Sequence, residues 1–129
     1  MASLALTSPA VANGGTIPAR YTCTGANVSP PLRWTAPPAG TRALRLKVVD
    51  IDAHGFVHWD AAAISASARG LAAGEHAPVE RINSFEEKGY SGPCPPPGSG
   101  SHRYVFTLTA LSAQGKVLAR ATLTGRFGR

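Results

Sequence analysis

Glycine and proline interrupt this chain at short intervals. The 129 residues contain 14 glycines and 11 prolines, scattered along the sequence instead of concentrated in one tract. Proline breaks helices and central strands because it lacks a backbone donor, and glycine supplies the conformations that tight turns need. A helical bundle is therefore excluded, and the pattern favours short strands separated by turns.

Apolar and polar residues alternate strictly in the clearest of these segments. Between Arg42 and Ile51, Leu44, Leu46 and Val48 share one parity and Arg45 shares the other. Such alternation is typical of a strand with one buried face. The same reasoning predicts further strands over Phe56 to Ile64, Arg103 to Leu111, and a last segment ending near Phe127. In the strand from Phe56 to Ile64, His58 and Trp59 are expected to face opposite sides.

The remaining segments show weaker patterns. Residues 1–41 and 65–101 are predicted to be extended or irregular, with a helical turn near Val79–Asn83, and so long an irregular segment as 65–101 favours a functional role. Gln114 to Ala121 fits a short helix or the start of the last strand, and its alternation favours the strand. With 43% hydrophobic and 16% charged residues, residues 1–129 are predicted to form a single domain, a mainly β antiparallel sandwich with few short helices.

The chain has a formal net charge of +6, from 13 basic and 7 acidic residues. A basic surface invites a nucleic-acid partner, because phosphate neutralisation dominates such binding. The charges are dispersed, however, and accompany no nucleic-acid-binding motif. We therefore predict no nucleic-acid partner and a surface that mildly attracts anions.

Signals for export and membrane insertion are not recognisable in the sequence. No basic, apolar and cleavable leader is visible, and no apolar run is long enough to span a bilayer. A cytoplasmic protein is expected, and a processed periplasmic or secreted form stays open. Free thiols are then the default for Cys23 and Cys94, with a disulfide as the alternative.

Polar side chains lie at the ends of predicted strands, on the face that carries the buried residues. Asp50 continues the parity of the leucines before it, and His102 and Tyr104 continue the parity of the strand that follows them. A buried carboxylate is costly unless it is hydrogen-bonded or lines a cavity. Together with His58 on the intervening strand, these residues predict a small pocket, in which imidazoles and a phenol donate to an anion.

Two other kinds of site are considered and set aside. Asp50, Asp52, His54 and His58 resemble a metal-ligand set, but positions four apart on an extended chain are separated by roughly 13 Å, so no metal or other cofactor is predicted. Hydrolysis by a serine next to His102 lacks the strand-turn-helix elbow that such a nucleophile uses. Trp34 and Trp59 are interpreted as core residues. Arg103, of outward parity, is expected either to form a structural ion pair or to pack its stem on the surface.

Four ordered motifs resemble the phosphatidylethanolamine-binding protein family, in the bacterial and archaeal branch often called Raf kinase inhibitor-like. The resemblance covers most of the chain. The matching segments are Gly15–Pro18 with Tyr21–Trp34, Asp50–Ala53 with His58-Trp59, Gly92–Pro96 with Gly98 and His102–Tyr104, and Ala121–Phe127.

This resemblance implies a β-sandwich with a small anion-binding pocket at one end. It implies a non-catalytic protein that binds a phosphorylated or anionic small ligand, such as a phospholipid headgroup, and regulates a protein partner. Inhibition of a protease or kinase through surface loops, or acid–base catalysis in the same pocket, stays open as an alternative. The expected ligand-binding residues are Asp50, His58, His102 and Tyr104, with Asp52, Pro96 and Cys94.

The chain departs from the family pattern in two places. Ile51 and His54 stand where the family has prolines, which predicts a less rigid loop after Asp50. Leu111–Gly115 replaces a longer, helix-containing connection. Because a shorter connection would uncover part of a sheet face or edge, a homodimer is predicted.

Overall fold

The computed structural model describes residues 4–129 of the chain. Eight strands and one short 3₁₀ helix make up its regular structure. In chain order they are β1 (Leu6–Thr7), the 3₁₀ helix (Ala19–Tyr21), β2 (Leu32–Trp34), β3 (Ala43–Asp50), β4 (Phe56–Ser65), β5 (Gly70–Leu71), β6 (Val79–Glu80), β7 (His102–Leu111) and β8 (Val117–Phe127).

The strands form two antiparallel sheets. One has five strands in the order β6-β4-β3-β7-β8, and the other has three in the order β1-β2-β5. The larger sheet buries the row Leu44, Leu46 and Val48, and the smaller sheet buries Leu32 and Trp34, in one hydrophobic cluster. The predicted mainly β architecture with almost no helix is therefore confirmed.

Parity along the two central strands sets which side chains enter the core. In β3 every even-numbered residue from Leu44 to Asp50 is buried, and every odd-numbered one is half exposed. In the register between β3 and β7, Leu46 pairs with Leu108 and Asp50 pairs with Tyr104. The polar residues at the strand ends thus face the same interior as the leucines.

Two of the weaker segment predictions have different outcomes. The helical turn near Val79–Asn83 is wrong: Val79 and Glu80 form β6 and pair with Ala62 and Ala61 at the edge of the larger sheet. Pairing with β4 gives hydrogen-bond partners to backbone N–H and C=O groups that a single helical turn would leave without partners. The strand preferred for the segment after Gln114 is confirmed, and it begins at Val117.

Cys23 and Cys94 form a disulfide, so the prediction of free thiols is wrong. Their Cα atoms lie 5.3 Å apart across a sequence separation of 71. The surrounding backbone holds them together, because the amide of Cys23 donates to the carbonyl of Pro93 at 3.1 Å. The pairing of two loops so distant in sequence is a product of the tertiary fold, which two cysteines in a sequence do not reveal.

No helix within residues 4–129 is long and apolar enough to cross a membrane.

Candidate functional site

A cavity of about 190 Å³ lies at one end of the larger sheet, where β3 ends and β4 and β7 begin. Six of the seven predicted ligand-binding residues line it, and Asp52 does not. The lining consists of Asp50, Ala53, Phe56, His58, Phe85, Cys94, Pro95, Pro96, His102 and Tyr104.

Asp50 is 3% exposed, and hydrogen bonds occupy both of its carboxylate oxygens. Oδ1 accepts from the amide of Asp52 at 2.9 Å, and Oδ2 accepts from Nδ1 of His102 at 2.6 Å. These bonds offset the cost of burying the charge. They also fix the ring of His102, whose other nitrogen, Nε2, lies 3.3 Å from the hydroxyl of Ser99.

His58 occupies a β-bulge. Val48 pairs with Trp59, while the next residue of β3, Val49, pairs with Val57, so His58 is an extra residue in β4. The sequence prediction that His58 and Trp59 face opposite sides is wrong, because the bulge turns both inward, to 2% and 0% exposure.

Burial also sets the charge of His58, because it lowers the pKa of the imidazole. Nδ1 lies 2.7 Å from the carbonyl oxygen of Ser91. A carbonyl accepts, so Nδ1 carries the proton. In the neutral ring, Nε2 is then a hydrogen-bond acceptor.

Tyr104 contributes a buried donor beside the carboxylate of Asp50. Its side chain is fully buried, with its ring edge-on to His58 at 5.2 Å between centroids. Among the side chains of residues 4–129, its hydroxyl is the buried polar atom without a hydrogen-bond partner. Burial, and then the negative charge of Asp50, raise the pKa of the phenol. The group is therefore a neutral donor, and leaving it unpaired is costly.

Asp52 lies outside the cavity, in an ion pair with Arg103. Its carboxylate accepts from the Arg103 guanidinium at 2.8 and 3.1 Å and from the Arg103 amide at 2.8 Å. The guanidinium hydrogen bond lowers the pKa of Asp52 to about 2. Of the two roles expected for Arg103, the ion pair is the one observed, and it positions the turn after β3 beside the start of β7.

An apolar wall completes the cavity, and sequence reasoning missed it. Phe85 packs edge-on against Phe56 at 4.7 Å and against His58 at 5.4 Å between centroids. Phe85 stands among the polar residues of a turn, and an isolated aromatic residue there was the available signal.

Asn83 organises the turn that carries Phe85. Its side-chain amide donates to the carbonyl of Gly89 at 3.0 Å and to the hydroxyl of Ser91 at 2.9 Å. Its side-chain oxygen accepts from the amides of Phe85 and Glu87 at 2.9 and 3.2 Å. Because the carbonyl of Ser91 holds His58, Asn83 supports the site indirectly.

The proline-rich loop closes the other side of the cavity. Gly98 and Gly100 have φ of 80° and 89°, positive values that residues with a Cβ atom rarely adopt. The chain end holds this loop, since the amide of Gly98 donates to the carbonyl of Arg129 at 2.9 Å and Nε of Arg129 donates to the carbonyl of Pro95 at 2.8 Å. No group of three or more metal-ligating side chains occurs within residues 4–129.

The chain matches a known protein family and is similar in sequence to several bacterial proteins. The family model described as phosphatidylethanolamine-binding protein matches residues 7–128. A UPF0098 protein of Mycobacterium tuberculosis is 44% identical over 112 residues, which cover 85% of this chain and 55% of the relative. A UPF0098 protein of Aquifex aeolicus is 36% identical over 145 aligned positions, covering 91% of this chain and 84% of the relative. The chain thus spans about half the length of the mycobacterial relatives it matches.

Solved structures share the fold over nearly the whole chain. A phosphatidylethanolamine-binding protein homolog from Chlamydia trachomatis superposes with a TM-score of 0.91 at 30% identity, covering 98% of each chain. YbcL of Escherichia coli has the same TM-score at 24% identity and covers 99% of each chain. At that lower identity the likeness to YbcL concerns the fold alone.

Proposed function

Since the chain belongs to the phosphatidylethanolamine-binding protein family, we propose that it is a non-catalytic binding protein for a phosphorylated or otherwise anionic small ligand, such as a phospholipid headgroup. The ligand binds in the cavity between Asp50, His58, His102 and Tyr104, with Cys94 and Pro96 in its wall. The observation that carries this proposal is the buried Tyr104 hydroxyl, which has no partner within residues 4–129.

The hydrogen-bonding groups of the cavity restrict the ligand further. Tyr104 offers a donor, so the ligand must supply an acceptor. Neutral His58 offers an acceptor at Nε2, so a ligand that also supplies a donor is favoured. A singly protonated phosphate monoester has both, because it combines a P–OH group with charged oxygens. Both oxygens of the Asp50 carboxylate are already hydrogen-bonded within the protein. Its negative charge repels a doubly ionised phosphate and so favours the singly protonated form.

The size of the cavity sets an upper limit on the bound part of the ligand. Its volume of about 190 Å³ lies below the roughly 300–1,000 Å³ of sites for drug-sized molecules. A headgroup fits this volume and two acyl chains do not. The apolar wall of Phe56 and Phe85 suits a short aliphatic stem.

Phosphoethanolamine is the probe that tests this proposal. We expect millimolar phosphoethanolamine to shift the imidazole NMR signals of His58 and His102, and we expect His102→Ala and Tyr104→Phe to weaken the affinity at least about tenfold, equal to 1.4 kcal/mol. His76→Ala is the matched control, because His76 is exposed and lies outside the cavity. Unmoved imidazole signals in the folded protein would refute the anion pocket.

Regulation of a kinase or protease partner is part of the same proposal. Such a partner contacts the loops around the cavity mouth, where Ile51 and Phe85 are 45% and 40% exposed. If the protein instead acts as an inhibitor through these loops alone, binding to the target survives His102→Ala. Loss of target binding in Ile51→Ser with phosphoethanolamine binding retained would support the loop mode.

The short Asp50–His102 hydrogen bond favours acid–base catalysis as a second candidate function. A carboxylate that orients an imidazole is a common arrangement for proton transfer. A screen of phosphate and carboxylate esters tests it. Turnover that Asp50→Asn abolishes would establish an enzyme, whereas binding without turnover supports the leading proposal.

We also propose that two copies associate through the open part of β8. β8 is an edge strand, and the N-terminal segment pairs with its end, where Gly14 donates to Thr124 at 2.6 Å and Ile17 donates to Arg126 at 2.7 Å. Within residues 4–129 no strand pairs with the outer edge of 117–123, and an open edge readily adds a strand. Sedimentation equilibrium tests this, and we expect Thr122→Pro to yield a monomer.

The disulfide bears on the compartment. Such bonds persist in oxidising compartments and are rare in the cytosol, so the bond argues against the cytoplasmic location predicted from the sequence. One relative, LppC of Mycobacterium tuberculosis, carries a lipoprotein designation and is 45% identical over 112 residues. We propose a location outside the cytoplasm, and thiol titration of protein from the native cell tests it.

A further inference from the structure

The outer face of the larger sheet carries a basic depression that the proposed ligand site does not use. Its volume is about 430 Å³, and it lies above β3, β7 and β8 near the Ser112–Gly115 turn. We call it the basic face, and its lining residues are Arg45, Lys47, Val49, Thr107, Thr109, Leu111, Gly115, Val117 and Arg120.

Three cations and no acid line this face. Arg45 shares the carboxylate of Asp60 at 3.3 Å. The side chains of Lys47 and Arg120 form no ion pair or hydrogen bond within the described range 4–129. Lys47 lies opposite Asp60 in the register of β3 and β4, but the carboxylate of Asp60 is bound by Arg45 and Arg81. Two cations without an ion-pair partner in this depression leave a positive potential that attracts an acidic partner.

The register of the sheet gives these cations a regular spacing. Arg45 and Arg120 both pair with Thr109, from opposite sides, so they stand two strands apart, at roughly 10 Å. Lys47 follows Arg45 by two residues on the same face, at roughly 7 Å. Lys47 and Arg120 are therefore diagonal neighbours at roughly 12 Å, close to the roughly 13 Å between carboxylates four residues apart on an extended peptide.

The composition of the face argues against other occupants. Its lining contains no aromatic side chain, so it lacks the stacking platforms of single-stranded nucleic-acid sites. A second copy stacked on this face would bring Lys47 and Arg120 against like charges, because Asp60, the acid beside the face, is already paired with Arg45 and Arg81. At one end, Val117 is 40% exposed beside Leu111, which supplies apolar contact area.

We propose that the basic face binds an acidic, extended segment of a partner protein. Its carboxylates pair with Lys47 and Arg120, the hydroxyls of Thr107 and Thr109 donate to it, and its apolar residues pack on Val117. This surface is separate from the ligand cavity, so the proposal does not depend on the proposed function.

The test uses a short fluorescein-labelled peptide of alternating glutamate and threonine, with fluorescence anisotropy as the readout. We expect binding with a Kd below about 100 µM at about 20 mM salt and weaker binding at about 200 mM salt. Lys47→Glu/Arg120→Glu should weaken binding at least about tenfold. The matched control is Arg33→Glu/Lys88→Glu, which changes the net charge equally at two exposed residues outside the face.

Each outcome decides the proposal. Loss of peptide binding in the first variant and retention in the control support it, with circular dichroism showing that both variants fold. Equal loss in both variants, or no binding by the unaltered protein, overturns it. Tighter binding of a single-stranded oligonucleotide through the same residues would assign the face to nucleic acid instead. A dimer that Lys47→Glu alone dissociates would assign the face to a second copy, since Lys47 lies outside the β8 edge proposed for self-association.

Discussion

Breaking the bond between Cys23 and Cys94 should destabilise the fold by about 4 kcal/mol. The bond closes a loop with a sequence separation of 71, and the chain-entropy relation for a loop of that length gives about 4 kcal/mol at 25 °C. Domains of this size are stable by about 5–15 kcal/mol. Loss of the bond therefore removes a large part of the stability, and it should lower the melting temperature by about 12–20 °C.

Reduction should also weaken ligand binding, because Cys94 lies in the cavity wall. Other bonds hold the neighbouring segment in place: the hydroxyl of Tyr90 donates to the carbonyl of Tyr21 at 2.6 Å, and the amide of Gly92 donates to the side-chain oxygen of Asn27 at 2.8 Å. These bonds keep the loop folded after reduction, so we expect a loss of affinity for phosphoethanolamine of about three- to tenfold.

Urea denaturation with and without a phosphine reductant measures this prediction. Because the chain contains two cysteines, the reductant has no other bond to break, and Cys23→Ala/Cys94→Ala should be insensitive to it. A change below about 1 kcal/mol on complete reduction would contradict the loop-entropy reasoning. Two titratable thiols in the untreated, folded protein would contradict the bond itself.

Three further predictions concern single residues around the cavity. Burial lowers the pKa of His58 below its usual 6.5, so as the pH falls below 6.5 the unfolded chain binds a proton that the folded protein resists. The free energy of unfolding should therefore fall between pH 6.5 and pH 5. In urea denaturation at these two pH values, the His58→Asn variant should lose less of its free energy of unfolding than the unaltered protein. Gly92→Ala should lose about 1–3 kcal/mol in the same assay, because its Cβ would overlap the carbonyl oxygen of Tyr21. Tyr104→Phe should leave the free energy of unfolding unchanged or raise it by up to about 1–3 kcal/mol, since it removes a buried hydroxyl that has no partner within residues 4–129. A loss of about 1 kcal/mol or more would contradict this reasoning and show that the hydroxyl is bonded.

Alternation along the chain was sufficient to predict the sheet, because one buried face leaves a signal at every second residue. The predicted segment Arg42 to Ile51 differs from β3, Ala43–Asp50, by one residue at each end. The same parity, a property of the sequence alone, is sufficient to place Asp50 and Tyr104 on the buried face. The shortest strands, such as β5 and β6 with two residues each, leave no periodic signal, because two residues cannot show a period.

Tertiary contacts determine the features that the sequence did not reveal. The bulge at His58 has no local mark, because Phe-Val-His-Trp fits a regular strand equally well. It is visible only in the strand pairing, where one step along β3, from Val48 to Val49, is matched by two steps along β4, from Trp59 to Val57. Likewise, an isolated aromatic residue in a polar turn marks Phe85 as unusual but does not identify Phe56 as its partner, since the contact depends on how the Asn83 turn folds over β4.

The hydrogen bond between Asp50 and His102 follows from the strand register. Asp50 is directly opposite Tyr104, and His102 lies two residues from Tyr104 on the same face, a diagonal neighbour within reach of a side chain. Burial of Leu46 against Leu108 and of Val48 against Phe106 fixes that register. A slip of one residue would turn the whole core-facing row of β3 towards solvent. The core leucines therefore bring the carboxylate of Asp50 and the imidazole of His102 together. A substitution that shifts the register of β3 against β7 would disrupt the cavity even if every residue lining it stayed the same.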